Sequence, residues 1–212
     1  MTKALLFDFD GTLADTALGI ILTMQETFRT MGLPVPDEEA VKQTIGLPLV
    51  EGVRLLGNLS QEDSERGVQI YRSLFPTFEL QHIVMFPEVP DTIKKLSEKG
   101  FRLAICTSRG KTSLERILSR YGLLDYFETA VTNSDNLTPK PAPDMVLALL
   151  ERMDISADEA IVVGDTTFDI RMGSGAGCRT IAVTYGNHTP EQLESVSPTH
   201  IINRFDEIID FL

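Results

Sequence analysis

The sequence predicts an α/β protein, a parallel sheet built from βα units with a helical second domain inserted after its first strand. Three observations predict it. Short apolar or β-branched runs alternate with longer runs of helical periodicity along most of the chain. Residues 16–84 break that alternation and read as helical throughout. Residues able to do chemistry gather where predicted strands end, which is where open parallel sheets bind their ligands.

The expected strands are Ala4–Phe9, Leu103–Thr107, Ala130–Thr132, Ala160–Val163, Thr180–Val183 and a weaker His200–Ile202. Helical patterns lie between them near Val89–Lys99, Lys111–Tyr121, Pro143–Met153 and Phe168–Gly173. S-A-D-E from Ser156 and T-P-E-Q from Thr189 have capping-box spacing, the second with Pro at the first helical position. In the inserted segment Ile20, Met24, Thr27, Phe28 and Met31 recur at helical spacing, as do Val68, Tyr71, Leu74, Phe75 and Phe78. Gly32-Leu-Pro34-Val-Pro36 and Gly46-Leu-Pro48 punctuate it as turns. The expected division is therefore 1–15 with 85–212 as the sheet-bearing core and 16–84 as the helical domain.

At 212 residues the chain can bury a sizeable core. Its net charge of −12 argues against nucleic acid and against anionic membrane surfaces as partners. A small anionic substrate stays compatible, because a site can be locally positive. Cys106 and Cys178 sit in apolar surroundings and read as buried hydrophobes, with neither a disulfide framework nor a zinc site. The N-terminus passes through Lys3 into a short apolar strand without a signal-peptide pattern or a membrane-length span, so a cytoplasmic protein is expected.

Four stretches carry candidate chemistry. In Leu5-Leu-Phe-Asp8-Phe-Asp10-Gly11-Thr12, two carboxylates two residues apart would share one face of a strand and repel each other. They read as a nucleophile with an acid/base partner, or as an Asp-Gly turn with local hydrogen bonds. Thr107-Ser108-Arg109 follows an apolar strand and suits a phosphate held at a helix N-terminus, or a plain helix cap. It runs into Gly110-Lys111-Thr112, but Ile105 stands where a Walker A motif needs its first glycine. Pro139-Lys140-Pro141 stiffens the backbone around Lys140, which is otherwise an exposed loop lysine. Gly164-Asp165-Thr-Thr-Phe-Asp169 offers carboxylates suited to a hard cation, or a helix cap at Asp165 with Asp169 solvated. Gly173-x-Gly175-x-Gly177 follows a helix, the reverse of a dinucleotide fingerprint, and reads as a capping loop.

In this order the four stretches resemble the haloacid dehalogenase-like hydrolase superfamily. Its pattern is DxDGT after the first strand, Ser/Thr after the second, a downstream Lys, then GDxxxD. The resemblance covers the whole chain. Ala182-Val-Thr-Tyr-Gly186 and Pro198-Thr-His-Ile-Ile202 are similar to the phosphoglycolate phosphatase branch. The resemblance implies a Rossmann-like core with an α-helical cap and Mg²⁺ held by Asp8, the Asp10 backbone carbonyl and Asp165. It implies phosphate binding by Gly11, Thr107, Ser108 and Lys140, with Asp169 behind them orienting Lys140 or a metal-bound water.

Two unit charges about 4 Å apart cost on the order of 4 kcal/mol at an effective dielectric near 20, so positive charge must meet the Asp8–phosphate pair before reaction. The implied reaction is attack by Asp8 on a small phosphorylated metabolite, giving an aspartyl-phosphate. Asp10 would protonate the leaving oxygen and then activate water. Dehalogenases of the family lack the second Asp, and phosphonatases differ there and need a cap lysine. A phosphosugar mutase would place a histidine where Ala17-Leu-Gly-Ile20 stands. Inorganic pyrophosphatase remains open, and a non-catalytic binding protein on this fold would have lost one of these groups. The expected assembly is a monomer or homodimer.

Overall fold

The computed structural model describes residues 2–212. In chain order its strands are β1 (Ala4–Phe7), β2 (Ala14–Asp15), β3 (Val84–Met85), β4 (Arg102–Cys106), β5 (Thr129–Val131), β6 (Ala160–Gly164), β7 (Arg179–Val183) and β8 (His200–Ile202). Its α-helices are α1 (Ala17–Met31), α2 (Glu38–Lys42), α3 (Leu49–Gly57), α4 (Gln61–His82), α5 (Val89–Glu98), α6 (Lys111–Arg120), α7 (Asp144–Met153), α8 (Thr167–Gly175) and α9 (Pro190–Glu194). A 3₁₀ segment at Phe205–Phe211, which the sequence pattern does not announce, closes the chain.

Six strands form one sheet in the order β5-β4-β1-β6-β7-β8, and every pair is parallel. The chain steps outward from β1 to β4 and β5, then returns to the other side of β1 for β6, β7 and β8. This is the doubly wound order, with its switch point at β1. Phe7 lies level with Ile105 on one side and Val163 on the other, so β1, β4 and β6 end together.

A parallel sheet is covered on both faces, and the strands read accordingly as apolar runs. All four residues of β1 are buried. Leu5 and Phe7 point into a cluster with Ile93 and Leu96 of α5, Leu114 and Ile117 of α6, and Phe205. Ala4 and Leu6 point the other way, against Met145, Val146 and Leu149 of α7 and Met172 of α8. Full burial of such a side chain contributes about 1.5–3 kcal/mol. The first cluster continues through Phe9 and Leu13 into Met24, Phe28, Val53, Val68, Tyr71 and Phe75, so the helical segment shares a continuous apolar core with this face of the sheet.

The expected elements are present with ends shifted by a residue or two. β1 stops at Phe7 because the Phe9 carbonyl accepts from Leu13 and Ala14 N–H at 3.0 and 3.1 Å, which turns the chain. Residue 84 is strand rather than part of a purely helical segment. The two crossing connections pair with each other, Ala14 with Met85 and Asp15 with Val84. Both capping boxes form, at Ser156 and at Thr189 with Pro190 opening α9. α4 runs through Pro76, which supplies no N–H to the helix ladder and lines the pocket described below. Cys106 and Cys178 are free and buried. No described helix is long and apolar enough to cross a membrane.

Candidate active site

The site stands at the switch point. Asp8 follows β1, Thr107 follows β4 and Asp165 follows β6, while Lys140 comes from the loop beyond β5. Backbone bonds hold two of these junctions: Asp8 N–H donates to Val163 O at 2.9 Å and Thr107 N–H to Val131 O at 3.0 Å. Lys140 is not an exposed loop residue. Its side chain is fully buried, and Nζ donates to Asp8 Oδ1 at 2.5 Å and Asp169 Oδ1 at 2.6 Å. Asp169 is equally buried and caps α8, accepting at Oδ2 from Thr166 N–H at 3.0 Å and Thr166 Oγ1–H at 2.6 Å. Thr166, not Asp165, is the N-cap of α8.

Asp165 is held from three sides. Thr12 Oγ1–H donates to Oδ1 at 3.0 Å, and the N–H and Nδ2–H of Asn187 both donate to Oδ2 at 2.8 Å. This close packing needs glycine on either side. Gly11 has φ +88°, and a Cβ there would run into the Asp165 carboxylate and the Asn187 amide. A Cβ at Gly186 would meet Asp165 as well.

Asp8, Asp165 and Asp169 bring carboxylate oxygens within 4.8 Å of one another, all buried. Three carboxylates against the single Lys140 leave −3 + 1 = −2 in a dry site. The protein feels this imbalance. Burial, opposed by Lys140 and reinforced by Asp169, Asp165 and Asp10, pushes the Asp8 carboxyl well above its ordinary range. Burial and the Asp169 charge push Asp165 up to about 7, against the hydrogen bonds from Asn187 and Thr12. Burial opposes a charged Lys140, but Asp169 and Asp8 overcome it and raise its pKa. A divalent cation fits this donor set: hard carboxylate oxygens, two surplus negative charges and little water.

Asp10 takes a different partner. The Arg109 guanidinium holds both its oxygens, Nε–H to Oδ2 at 3.1 Å and Nη2–H to Oδ1. Asp10 and Thr107 line a cavity of about 500 Å³ together with Asp8, and residues of α1, α3 and α4 form its far wall. Thr107 is fully buried and its Oγ1 accepts from Arg109 N–H at 3.2 Å.

Gly11 and Ser108, expected to bind phosphate, make contacts within the protein in this structure. The Gly11 N–H donates to Ala14 O at 2.8 Å inside the turn. The Ser108 hydroxyl donates to Gly46 O at 2.7 Å, tying the strand-β4 loop to the turn between α2 and α3. Arg109 and Asn187 were not singled out by sequence reasoning. Arg109 sits beside the Thr107 motif and Asn187 just beyond Tyr185-Gly186, so nearness to a motif was the only signal available.

The protein is a doubly wound α/β sheet with a buried carboxylate–lysine cluster at its switch point, a donor set that a divalent cation fits. The sequence matches the haloacid dehalogenase-like hydrolase family over residues 5–183. It is 34% identical to a Dickeya dadantii protein named as a probable phosphatase, IndB, covering 99% of this chain and 93% of that one. A Clostridium perfringens protein named as a candidate pyrophosphatase, PpaX, is 31% identical, covering 100% and 98%. An Aquifex aeolicus phosphoglycolate phosphatase is 30% identical, covering 99% and 96%. Among solved structures, a haloacid dehalogenase-like fold from Bacteroides fragilis superposes with a TM-score of 0.94 at 24% identity, covering 98% and 100%. The chain belongs to the haloacid dehalogenase-like hydrolase family.

Proposed function

We propose that this protein is a Mg²⁺-dependent phosphatase that hydrolyses small phosphate monoesters through an aspartyl-phosphate on Asp8. The observation that carries the reading is the buried cluster in which Lys140 bridges Asp8 and Asp169 beside Asp165. The family match and the phosphatase, phosphoglycolate phosphatase and pyrophosphatase names of its relatives support it. Residues 1–15 and 85–212 act as the core, and 16–84 as a helical cap over the pocket.

The Asp8 and Asp165 carboxylates and the Asp10 backbone carbonyl would hold Mg²⁺, which supplies positive charge to the carboxylates and to the phosphoryl oxygens. Lys140 meets a further phosphoryl oxygen, and Asp169 fixes where its ammonium points. Thr107 offers its hydroxyl to the same group. Asp8 then attacks phosphorus in line, the bond to the leaving oxygen breaks, and Asp10 gives that oxygen its proton. After the alcohol departs, Asp10 takes a proton from water. The resulting hydroxide attacks phosphorus, releases inorganic phosphate and restores the Asp8 carboxylate. The Ser108–Gly46 bond keeps the cap seated while water is excluded, and its opening lets product leave.

The test is phosphate release from an aryl phosphate with Mg²⁺ and after chelation. Metal-dependent turnover that Asp8→Asn abolishes is expected. No turnover by folded protein with any phosphate ester would refute the reading.

A further inference from the structure

The cavity beyond Thr107 is lined by four cations, Arg72, Arg109, Lys111 and Arg116, in a chain of net charge −12. They are not equivalent. Arg116 is paired with Glu79, and Lys111 and Arg72 are exposed. Arg109 alone is buried, its side chain 6% exposed. Its guanidinium lies over the rings of Phe9 and Phe75, 5.4 and 5.1 Å from their centroids, and Nη1–H donates to Ser113 Oγ at 2.8 Å. Burying a guanidinium is costly unless an anion meets it. In this structure the anion is Asp10, bound through both oxygens. In the proposed reaction Asp10 must turn a protonated oxygen to the leaving group, whereas here both of its oxygens face the Arg109 N–H groups.

We infer that Arg109 is the receptor for a second anionic group on the substrate, a carboxylate or a second phosphoryl group placed a short linker beyond the scissile oxygen. Asp10 occupies that receptor until the substrate arrives. When it binds, the Arg109 N–H bonds pass from the Asp10 carboxylate to the substrate's distal anion. Both Asp10 oxygens are then free to reach the leaving oxygen. The short linker follows from the geometry, since one guanidinium has to serve Asp10 and the distal anion from the same place. A planar fork stacked on two rings and tied to Ser113 suits bidentate capture of a carboxylate or a phosphoryl group. The same exchange makes an alkyl leaving group without a charge a poor substrate, because it leaves Arg109 on Asp10, whereas an aryl oxide departs with little need of the Asp10 proton. This inference rests on the phosphatase reading above and names the class of substrate for that site.

Steady-state kinetics with Mg²⁺ on phosphoglycolate and ethyl phosphate test it, since the two share a carbon frame and differ in the carboxylate. Pyrophosphate is the arm for a second phosphoryl group, and an aryl phosphate checks the chemistry alone. Wild-type kcat/KM is expected to favour at least one of the two-anion substrates over ethyl phosphate by about 100-fold or more, and which of the two leads identifies the anion. In Arg109→Leu that ratio should collapse to within about 5-fold, chiefly through KM for the two-anion substrate. Arg109→Lys, which keeps the charge without the fork, should give a ratio in between. A wild-type ratio near one for both two-anion substrates would overturn the inference without any variant. So would a ratio that survives in Arg109→Leu while both rates fall together. Failure on the aryl phosphate as well would instead refute the phosphatase reading, and this inference with it.

Discussion

Replacing Lys140 with Met removes one charge from the centre of the cluster and keeps most of the side-chain volume. Lys140 makes two ion pairs, at 2.5 Å to Asp8 and 2.6 Å to Asp169, between side chains 0–4% exposed. Removing one partner of a buried pair costs about 3–5 kcal/mol, because the other charge stays behind in the dry interior. Here Asp8, Asp165 and Asp169 are left behind, with oxygens within 4.8 Å of one another. In a 212-residue chain each kcal/mol moves the melting temperature by about 2–4 °C, so a fall of roughly 6–20 °C is expected. The loss depends on pH with a definite sign. A raised carboxyl pKa means that the folded state binds the proton more tightly than the unfolded one, so stability falls as pH rises. The deficit of the variant should therefore be largest near pH 8 and shrink towards pH 5. The assay is urea denaturation of both proteins across that range in a chelator. A deficit under about 1 kcal/mol, or one that grows towards acid pH, would refute the charge balance described for the site.

Asp165, raised from an ordinary 3.8 to about 7, makes metal-free wild-type protein lose up to about 4 kcal/mol relative to Asp165→Asn as pH climbs through that interval. Saturating Mg²⁺ should flatten the slope, and denaturation curves in which wild type gains on the variant with rising pH would contradict it. Asn187→Ala removes the Nδ2–H donor to Asp165 and leaves the backbone N–H in place, and should weaken Mg²⁺ binding about 10-fold by calorimetry, whereas unchanged affinity would mean that the Asn187 side chain only fills space. Ser108→Ala deletes the bond to Gly46 at a cost of about 0.5–1.5 kcal/mol. Its KM should rise with little change in phosphoenzyme hydrolysis, and an unchanged KM would remove the loop contact from substrate closure. Asp10→Asn should slow both formation and hydrolysis of the phosphoenzyme by about 100-fold or more. A defect confined to one step in single-turnover kinetics would break its dual role.

The sheet was legible because its strands are buried on both faces and so read as apolar runs bounded by polar turns. The ends of those runs carried Asp8, Thr107 and Asp165, and the doubly wound order brings them level. Local caps were legible too, since Ser156 and Thr189 bond within three residues of themselves. What the sequence hid depends on distance along the chain. Arg109 meets Asp10 across 99 positions, Asn187 meets Asp165 across 22, and Ser108 meets Gly46 across 62. No periodicity encodes such pairs. Proline on either side of Lys140 hinted that it was positioned, but a solvent-facing lysine and one wedged between Asp8 and Asp169 read identically until the fold closes around them. The motif marks Gly11, but not that a Cβ there would meet the Asp165 carboxylate from across the site.

The most direct test of the central claim is to find the phosphoryl group on the protein. Wild-type enzyme and an aryl phosphate are mixed with Mg²⁺, quenched in acid within a single turnover, and the peptide spanning Asp8 and Asp10 is analysed by mass spectrometry. The expected result is a phosphoryl group on Asp8 that forms and decays with the rate of phosphate release, and is missing in Asp8→Asn. A phosphoryl group on any other residue, or an Asp8→Asn variant that turns over at the wild-type rate, would contradict the account.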